Sequence, residues 1–103
     1  MIKKQFLKSK PVCKATFTLP KATVNGAKEV LILGEFNNWN TKEATKMKKQ
    51  KGGNFKATVE LETGKEYQFR YLLDGEKWEN ETEADKTVTN EYGAENSVVV
   101  TLN

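Results

Sequence analysis

The chain has 103 residues, 37% of them apolar and 30% charged, with two tryptophans, one cysteine, one arginine and no histidine. The absence of histidine excludes Ser-His-Asp and Cys-His nucleophile systems, an imidazole general base and His-ligated metal sites. The length fits one domain. The net charge of the chain is +3, but the charge is unevenly distributed: residues 1–56 contain 13 lysines and three glutamates, whereas residues 57–103 contain four cations and 11 acids.

The cations and the apolar runs argue against nucleic-acid and membrane partners. All cations but one are lysines, and the lysine-rich run 46–51 has no aromatic residue to stack on bases. The longest apolar run, Val30–Leu33, is far shorter than the roughly 20 residues that cross a bilayer, and no apolar signal segment follows the basic N-terminus. A lone thiol, Cys13, can form no internal disulfide, and this predicts a cytoplasmic protein. We expect the opposite charges of the two halves to neutralise each other across a β-sandwich.

Alternating apolar and polar residues predict strands along the chain, and no segment has a helical period. The alternating segments are Cys13–Leu19, Phe55–Leu61 and Tyr67–Leu73; residues 28–34 have the pattern of a strand buried on both sides, and residues 96–102 that of a last strand. Turn pairs separate them: Asn25-Gly26, Asn37-Asn38, Gly52-Gly53, Thr63-Gly64, Asp74-Gly75 and Tyr92-Gly93. This predicts an antiparallel sandwich over residues 12–103, with Cys13 facing the core and residues 1–11 as a loosely docked arm.

The two tryptophans lie in or beside predicted turns. Asp74-Gly75 suits a type I′ turn, which predicts a hairpin with Trp78 on its return strand, while Trp39 stands in the Asn-rich segment 37–40. A sugar offers an apolar C–H face and a rim of hydroxyl groups, so its site needs exposed aromatics with Asn, Lys or Arg beside them. Trp39 and Trp78 could be the exposed aromatics that stack on the sugar. Alternatively, their side chains close the ends of the sandwich.

Four segments in order carry a resemblance to a known family: Val30 to Trp39, Phe55 to Leu61, Tyr67 to Trp78 and Gly93 to Val100. Together they resemble carbohydrate-binding module family 48, which includes the N-terminal early-set domain of isoamylase and the glycogen-binding domain of AMP-activated protein kinase β subunits. The resemblance implies an all-β, immunoglobulin-like early-set antiparallel β-sandwich that binds α-1,4-glucans such as glycogen, starch or maltooligosaccharides.

The resemblance also implies roles for individual residues. Trp39 and Trp78 match the two stacking tryptophans of the kinase-type domains, and Arg70 stands where those domains have a sugar-bonding Lys. Asn96 matches a sugar-bonding Asn. Tyr92 occupies the position of a Leu that inserts beside the sugar chain.

Reasoning from the residues alone also gives Arg70, Asn37, Asn38 and Asn96 as hydrogen-bonding partners for sugar hydroxyls. Two positions depart from the family pattern. Ala94 stands where a hydroxyl residue is expected, and two residues rather than one separate Gly75 from Trp78.

Catalysis is not expected from this sequence. Acids are abundant between Asp74 and Asp85, but a glycosidase needs a desolvated acid paired with a second carboxylate, and a turn followed by an acidic loop gives solvated groups. We therefore predict a non-catalytic module for α-glucans that needs no cofactor or metal. The alternative is a protein-interaction or regulatory module that docks on a glucan-metabolising enzyme, with sugar binding weak or lost.

Overall fold

The structure is a computed structural model and describes residues 1–102, which form ten strands, one turn of α-helix and one 3₁₀ turn. The strands are β1 Ile2–Phe6, β2 Val12–Leu19, β3 Val30–Gly34, β4 Thr45–Lys46, β5 Lys48–Lys49, β6 Phe55–Glu62, β7 Glu66–Leu73, β8 Lys77–Glu79, β9 Lys86–Thr89 and β10 Glu95–Val100. The helical turn α1 spans Lys21–Val24, and the 3₁₀ turn spans Glu35–Asn37.

The strands form two antiparallel sheets. One sheet has the order β1-β2-β6-β5, and the other has the order β4-β3-β7-β10-β9, with β8 paired to β7. β4 and β5 are one continuous stretch that crosses from one sheet to the other at Met47, which is buried. The predicted all-β antiparallel sandwich is confirmed.

Aromatic side chains from both sheets fill the space between them. Phe17 from β2 packs edge-on against Phe69 from β7 with ring centroids 5.0 Å apart, and Phe69 packs against Tyr71 at 5.8 Å. Edge-to-face contacts of this kind add to the stabilisation from burying the rings. Cys13 is fully buried, as predicted, and burial raises the pKa of its thiol.

The first residues of the chain are an edge strand rather than a loosely docked arm. β1 pairs with β2 from Ile2 opposite Phe17 to Phe6 opposite Cys13. The N-terminal ammonium group donates to Oε1 of buried Glu81 at 2.6 Å. The backbone ladder and this charged contact hold a segment whose sequence has few apolar anchors.

Two strands are shorter than predicted. Beyond one end of each, hydrogen bonds between a side chain and the backbone replace the hydrogen bonds between strands. β3 begins at Val30, since the amides of Lys28 and Glu29 both donate to Asp74 Oδ1 at 2.9 Å. β10 ends at Val100, and the hydroxyl of Thr101 bonds to carbonyl groups of the β6–β7 turn. The helical turn α1 was not predicted, because a single turn is too short to show a period.

In the part of the chain that the structure describes, the expected neutralisation between the two charged halves occurs only at the N-terminal end, where the N-terminal ammonium group pairs with Glu81 and Glu83 and Lys4 pairs with Asp85. Among residues 1–102, only Lys4 and Lys46 of the 13 lysines in the first half lie within 4 Å of a carboxylate. Glu62, Glu66 and Glu79 pair with lysines of their own half, and Glu81 and Glu83 pair with the N-terminal ammonium group. The fold thus leaves much of the positive charge unpaired.

Candidate functional site

The candidate sugar-binding residues meet on the outer face of the six-stranded sheet. On β7, Phe69 and Tyr71 point into the core, so Arg70 and Leu72 point outward. The register places Leu33 of β3 opposite Arg70 and Trp78 of β8 opposite Leu72. Arg70 and Trp78 are therefore diagonal neighbours on one face, within reach of each other.

A tight turn delivers Trp78 to this face. Asp74 and Gly75 have φ angles of 51° and 69°, and the amide of Glu76 donates to the carbonyl of Leu73 at 3.0 Å, as the type I′ prediction requires. Leu73 pairs with Lys77, which leaves Glu76 as an extra residue on the return strand. This bulge absorbs the additional residue seen in the sequence and keeps Trp78 on the outer face.

A compact loop delivers Trp39 to the same face. Asn37 ties the loop down: its Oδ1 accepts from the amide of Gly34 at 3.0 Å, and its Nδ2 donates to the carbonyl of Ile32 at 3.0 Å. The amide of Trp39 in turn donates to the carbonyl of Gly34. Glycine is required there, because a Cβ on Gly34 would lie 2.5 Å from the backbone oxygen of Gln68.

Trp39 is held in an unfavourable backbone conformation. Its φ is 56°, and so is that of Asn38 before it. Asn visits this left-handed region readily, but a bulky aromatic residue there costs about 1–2 kcal/mol. The bonds that Asn37 and Gly34 make offset this cost and fix the direction in which the Trp39 ring points.

The two tryptophan rings form one bent aromatic surface. Their centroids are 6.4 Å apart and their planes are inclined at 63°, an edge-to-face arrangement. Trp78 keeps 41% of its surface exposed and Trp39 is half-buried. The interpretation that the tryptophans close the ends of the sandwich does not hold for Trp78, because a plugging side chain would be covered.

Arg70 lies against this surface and has an unused hydrogen-bond donor. The centre of its guanidinium group lies 4.7 Å from the centroid of the Trp78 ring, a cation–π contact. Its Nε is buried and has no hydrogen-bond partner among the described residues. A buried donor without a partner is costly, so a turn of the Arg70 side chain that exposes this donor to a hydrogen-bond acceptor would be favourable.

A shallow cleft of about 290 Å³ extends from Trp39 and Arg70 toward β10, and is lined by Glu35, Trp39, Gln68, Arg70, Asn90, Glu91, Tyr92 and Asn96. Asn96 is only 6% exposed; its Nδ2 donates to Gln68 Oε1 at 3.0 Å and its Oδ1 accepts from Asn90 at 3.4 Å. Asn96 thus holds two neighbouring amides at the floor of the cleft.

Tyr92 stands out from the rim of the cleft. Asn90 Oδ1 accepts from the amides of Tyr92 and Ala94 at 3.0 and 3.1 Å, and this closes the loop between β9 and β10. The Tyr92 side chain is 87% exposed and free to pack on a bound molecule. Asn38 is exposed beside Trp39 but does not line the cleft.

Sequence reasoning missed four residues of this cleft: Glu35, Gln68, Asn90 and Glu91. Gln68 could have been found, because it lies two residues before Arg70 on a strand and therefore on the same face. Glu35 begins the 3₁₀ turn, and Asn90 and Glu91 lie in the loop between β9 and β10, where residue spacing does not predict which way a side chain points. Glu35 Oε1 accepts from the amide of Gln68 at 2.7 Å, which joins the Trp39 loop to β7.

The geometry suits binding by stacking and hydrogen bonds. Within residues 1–102, no three Asp, Glu or Cys side chains are grouped closely enough to hold a metal ion. Over the same range, no helix has the length and apolar character needed to cross a membrane. The structure brings together Trp39, Arg70, Trp78, Asn96 and Tyr92, which are five of the predicted binding residues.

Comparison with known proteins points in the same direction. Residues 7–102 match the family described as the glycogen recognition site of AMP-activated protein kinase. The chain is 34% identical to the 5'-AMP-activated protein kinase subunit beta-1 of Sus scrofa over 74 residues, which is 72% of this chain and 55% of that protein. It is 33% identical to Protein PTST homolog 2, chloroplastic, of Arabidopsis thaliana over 76 residues, which is 74% of this chain and 13% of that protein.

The chain thus spans about half or less of the length of these relatives. The family match, in contrast, covers nearly all of the chain and includes every residue of the aromatic surface and the cleft. A match of this extent agrees with the family resemblance of the four sequence segments. The chain belongs to the family of carbohydrate-binding modules that contains the glycogen recognition site of AMP-activated protein kinase.

Proposed function

We propose that this protein binds α-1,4-linked glucans on the outer face of the six-stranded sheet, without catalysing their conversion. The observation that carries the proposal is the convergence of Trp39, Trp78 and Arg70 from three separate segments onto one surface. The family match and the relatives that share it support a carbohydrate ligand.

The inclination of the two tryptophan rings favours a curved sugar chain. An α-1,4 linkage turns the chain at each residue, so successive sugar faces are not coplanar. A β-1,4 chain is extended and flat, and two coplanar platforms would suit it better. The angle of 63° between Trp39 and Trp78 therefore supports α-glucan as the ligand class.

Polar groups around the rings supply partners for the sugar hydroxyls. Arg70 Nε is a buried donor without a partner among the described residues, and a sugar hydroxyl would satisfy it once the side chain turns toward the cleft. Gln68 and Asn90 lie along the cleft, held by Asn96. We assign Tyr92 the role of a mobile cover over the chain, and Asn38 a contact at its outer end.

The expected affinity is modest. A shallow surface built from two aromatic rings gains only a few kcal/mol after ordering costs, which corresponds to a Kd of roughly 10 μM to 1 mM. Such a module serves to keep another activity near a glucan, so a glucan-metabolising enzyme is the proposed partner. The single buried thiol is consistent with a reducing compartment such as the cytoplasm.

A titration of the ¹⁵N-labelled protein with maltoheptaose tests the proposal, with cellohexaose as the matched β-1,4 control. We expect the indole NH signals of Trp39 and Trp78 and the Arg70 Nε–H signal to shift with maltoheptaose and to stay in place with cellohexaose. Equal responses to both sugars would contradict the assignment to α-glucans. The absence of any shift at millimolar maltoheptaose would refute sugar binding and favour the interaction module.

A further inference from the structure

A second surface, on the opposite side of the molecule, carries positive charge that the fold does not use. The outer face of the four-stranded sheet presents Lys3, Lys14, Lys48 and Lys56 around Thr16 and Thr58, and we call these six residues the lysine face. The register places Lys3, Thr16 and Thr58 side by side on β1, β2 and β6. Lys48 of β5 lies directly opposite Lys56 of β6.

The pairing of Lys48 with Lys56 is electrostatically unfavourable in the free protein. Like charges directly opposite each other on neighbouring strands destabilise a sheet. Within residues 1–102, no carboxylate lies within 4 Å of any of the four ammonium groups of the lysine face. Glu60 of β6 lies directly opposite Lys14 on the same face, so the negative charge nearest to the lysine face is at its Lys14 end. Glu62, two residues further along β6, already pairs with Lys65.

The lysine face also has the shape of a track. One shallow groove of about 450 Å³ runs past Lys3, Lys14, Thr16 and Thr58, and a second of about 390 Å³ runs past Thr58, Lys48 and Lys56. The two grooves share Thr58 and therefore join. They cross four strands, which is a width of roughly 15 Å.

The side chains of this track favour one kind of partner. Nucleic acid is disfavoured, because the lysine face has no aromatic residue for stacking and the only arginine lies on the opposite sheet. A membrane is disfavoured, because within residues 1–102 the lysine face itself presents no large apolar side chain and Met1 is the one exposed beside it. Lysines that alternate with threonine hydroxyls suit carboxylate groups and the polar backbone of an extended peptide.

We propose that the lysine face is a docking surface for an extended acidic segment of a partner protein. The glucan site and the lysine face lie on the outer faces of opposite sheets, and since stacked sheets are themselves about 10 Å apart, both surfaces can be occupied at once. The protein then links an acidic partner to a glucan. The docking proposal does not depend on the sugar site, so a failure of glucan binding would leave it unaffected.

The test is a titration of the full chain with a glutamate peptide of about 10 residues, which spans roughly 33 Å when extended. Binding is followed by the backbone amide shifts of β2, β5 and β6 at low and at physiological ionic strength. We expect Lys48→Glu/Lys56→Glu to weaken binding by about tenfold or more. The matched control is Lys8→Glu/Lys10→Glu, which changes the net charge equally at exposed residues of the β1–β2 turn, and we expect a loss of about twofold or less.

Several results would overturn the proposal. Equal losses in the two variants would mean that only the net charge matters. Tighter binding of a single-stranded DNA of similar charge, or of phosphatidylserine vesicles, would assign the face to another partner class. If Lys48→Gln/Lys56→Gln aggregates while retaining peptide affinity, the lysines only protect a sheet edge. This neutral variant also replaces the charge-reversed one if the latter fails to fold. Undiminished peptide binding in the presence of saturating maltoheptaose would support the independence of the two surfaces.

Discussion

The substitution Trp78→Ala separates the sugar-binding role of this residue from a structural one. Trp78 is 41% exposed, and two of its contacts are the edge-to-face contact with Trp39 and the cation–π contact with Arg70. The first is worth about 0.5–1.5 kcal/mol and the second about 0.5–1 kcal/mol at an exposed site. We expect the free energy of unfolding to fall by about 1–2.5 kcal/mol, which a typical domain tolerates.

The effect on sugar binding should be larger. Removal of one of two stacking surfaces forfeits the burial of a large apolar side chain, about 1.5–3 kcal/mol, which raises the Kd for maltoheptaose roughly 10- to 150-fold. Trp78→Phe keeps a smaller ring and should retain part of the affinity.

Isothermal titration with maltoheptaose measures the affinity, and urea denaturation measures the stability of the same samples. Tyr67→Leu is the control, because it removes a half-buried aromatic ring from the inner side of β7. It should lower stability and leave the Kd unchanged. A Trp78→Ala protein that unfolds, or one that binds maltoheptaose as the parent does, would refute the reasoning.

Two further predictions concern the residues that support the fold and the site. Asn37→Ala removes both side-chain hydrogen bonds that close the Trp39 loop, so it should lower the free energy of unfolding by about 1–3 kcal/mol and weaken maltoheptaose binding. Unchanged indole NH shifts of the tryptophans in this variant would contradict the role of Asn37. The hydroxyl of Tyr71 donates to buried Glu81 at 2.8 Å, so Tyr71→Phe should cost about 1.5–3 kcal/mol in thermal or urea unfolding at neutral pH. Burial and the Glu81 charge raise the pKa of Tyr71, so its contribution to stability is fully present below pH of about 10 and declines at higher pH, where the unfolded chain loses the proton and the folded chain keeps it. The difference between the parent and Tyr71→Phe should therefore shrink above pH of about 10; a constant difference would contradict this linkage.

Much of the fold follows from local sequence. The alternation in Cys13–Leu19, Phe55–Leu61 and Tyr67–Leu73 places one apolar face on each strand, and burial of those faces requires a sandwich. The Asp74-Gly75 turn also follows from local chemistry, because few residue pairs adopt two consecutive positive φ angles. The candidate residues Trp39, Arg70 and Trp78 could be named from motifs in the sequence.

Tertiary contacts decided the features of the fold and the site that local sequence does not predict. β1 forms because β2 offers it an edge and Glu81 binds the N-terminal ammonium group, and neither partner is near it in the sequence. Asn96 was predicted to bond sugar, but whether it reaches sugar or holds Gln68 and Asn90 depends on strand register.

The charges show the same division. The sequence determined that the first half of the chain is basic and the second half acidic. Only the strand order and register decided which opposite charges meet: the N-terminal ammonium group and Lys4 reach Glu81 and Asp85, whereas β5 and β6 place Lys48 opposite Lys56. The 63° angle between Trp39 and Trp78 likewise arises from the packing of two loops and a hairpin. Residue types fix which interactions are available, and their arrangement in three dimensions fixes which of them are made.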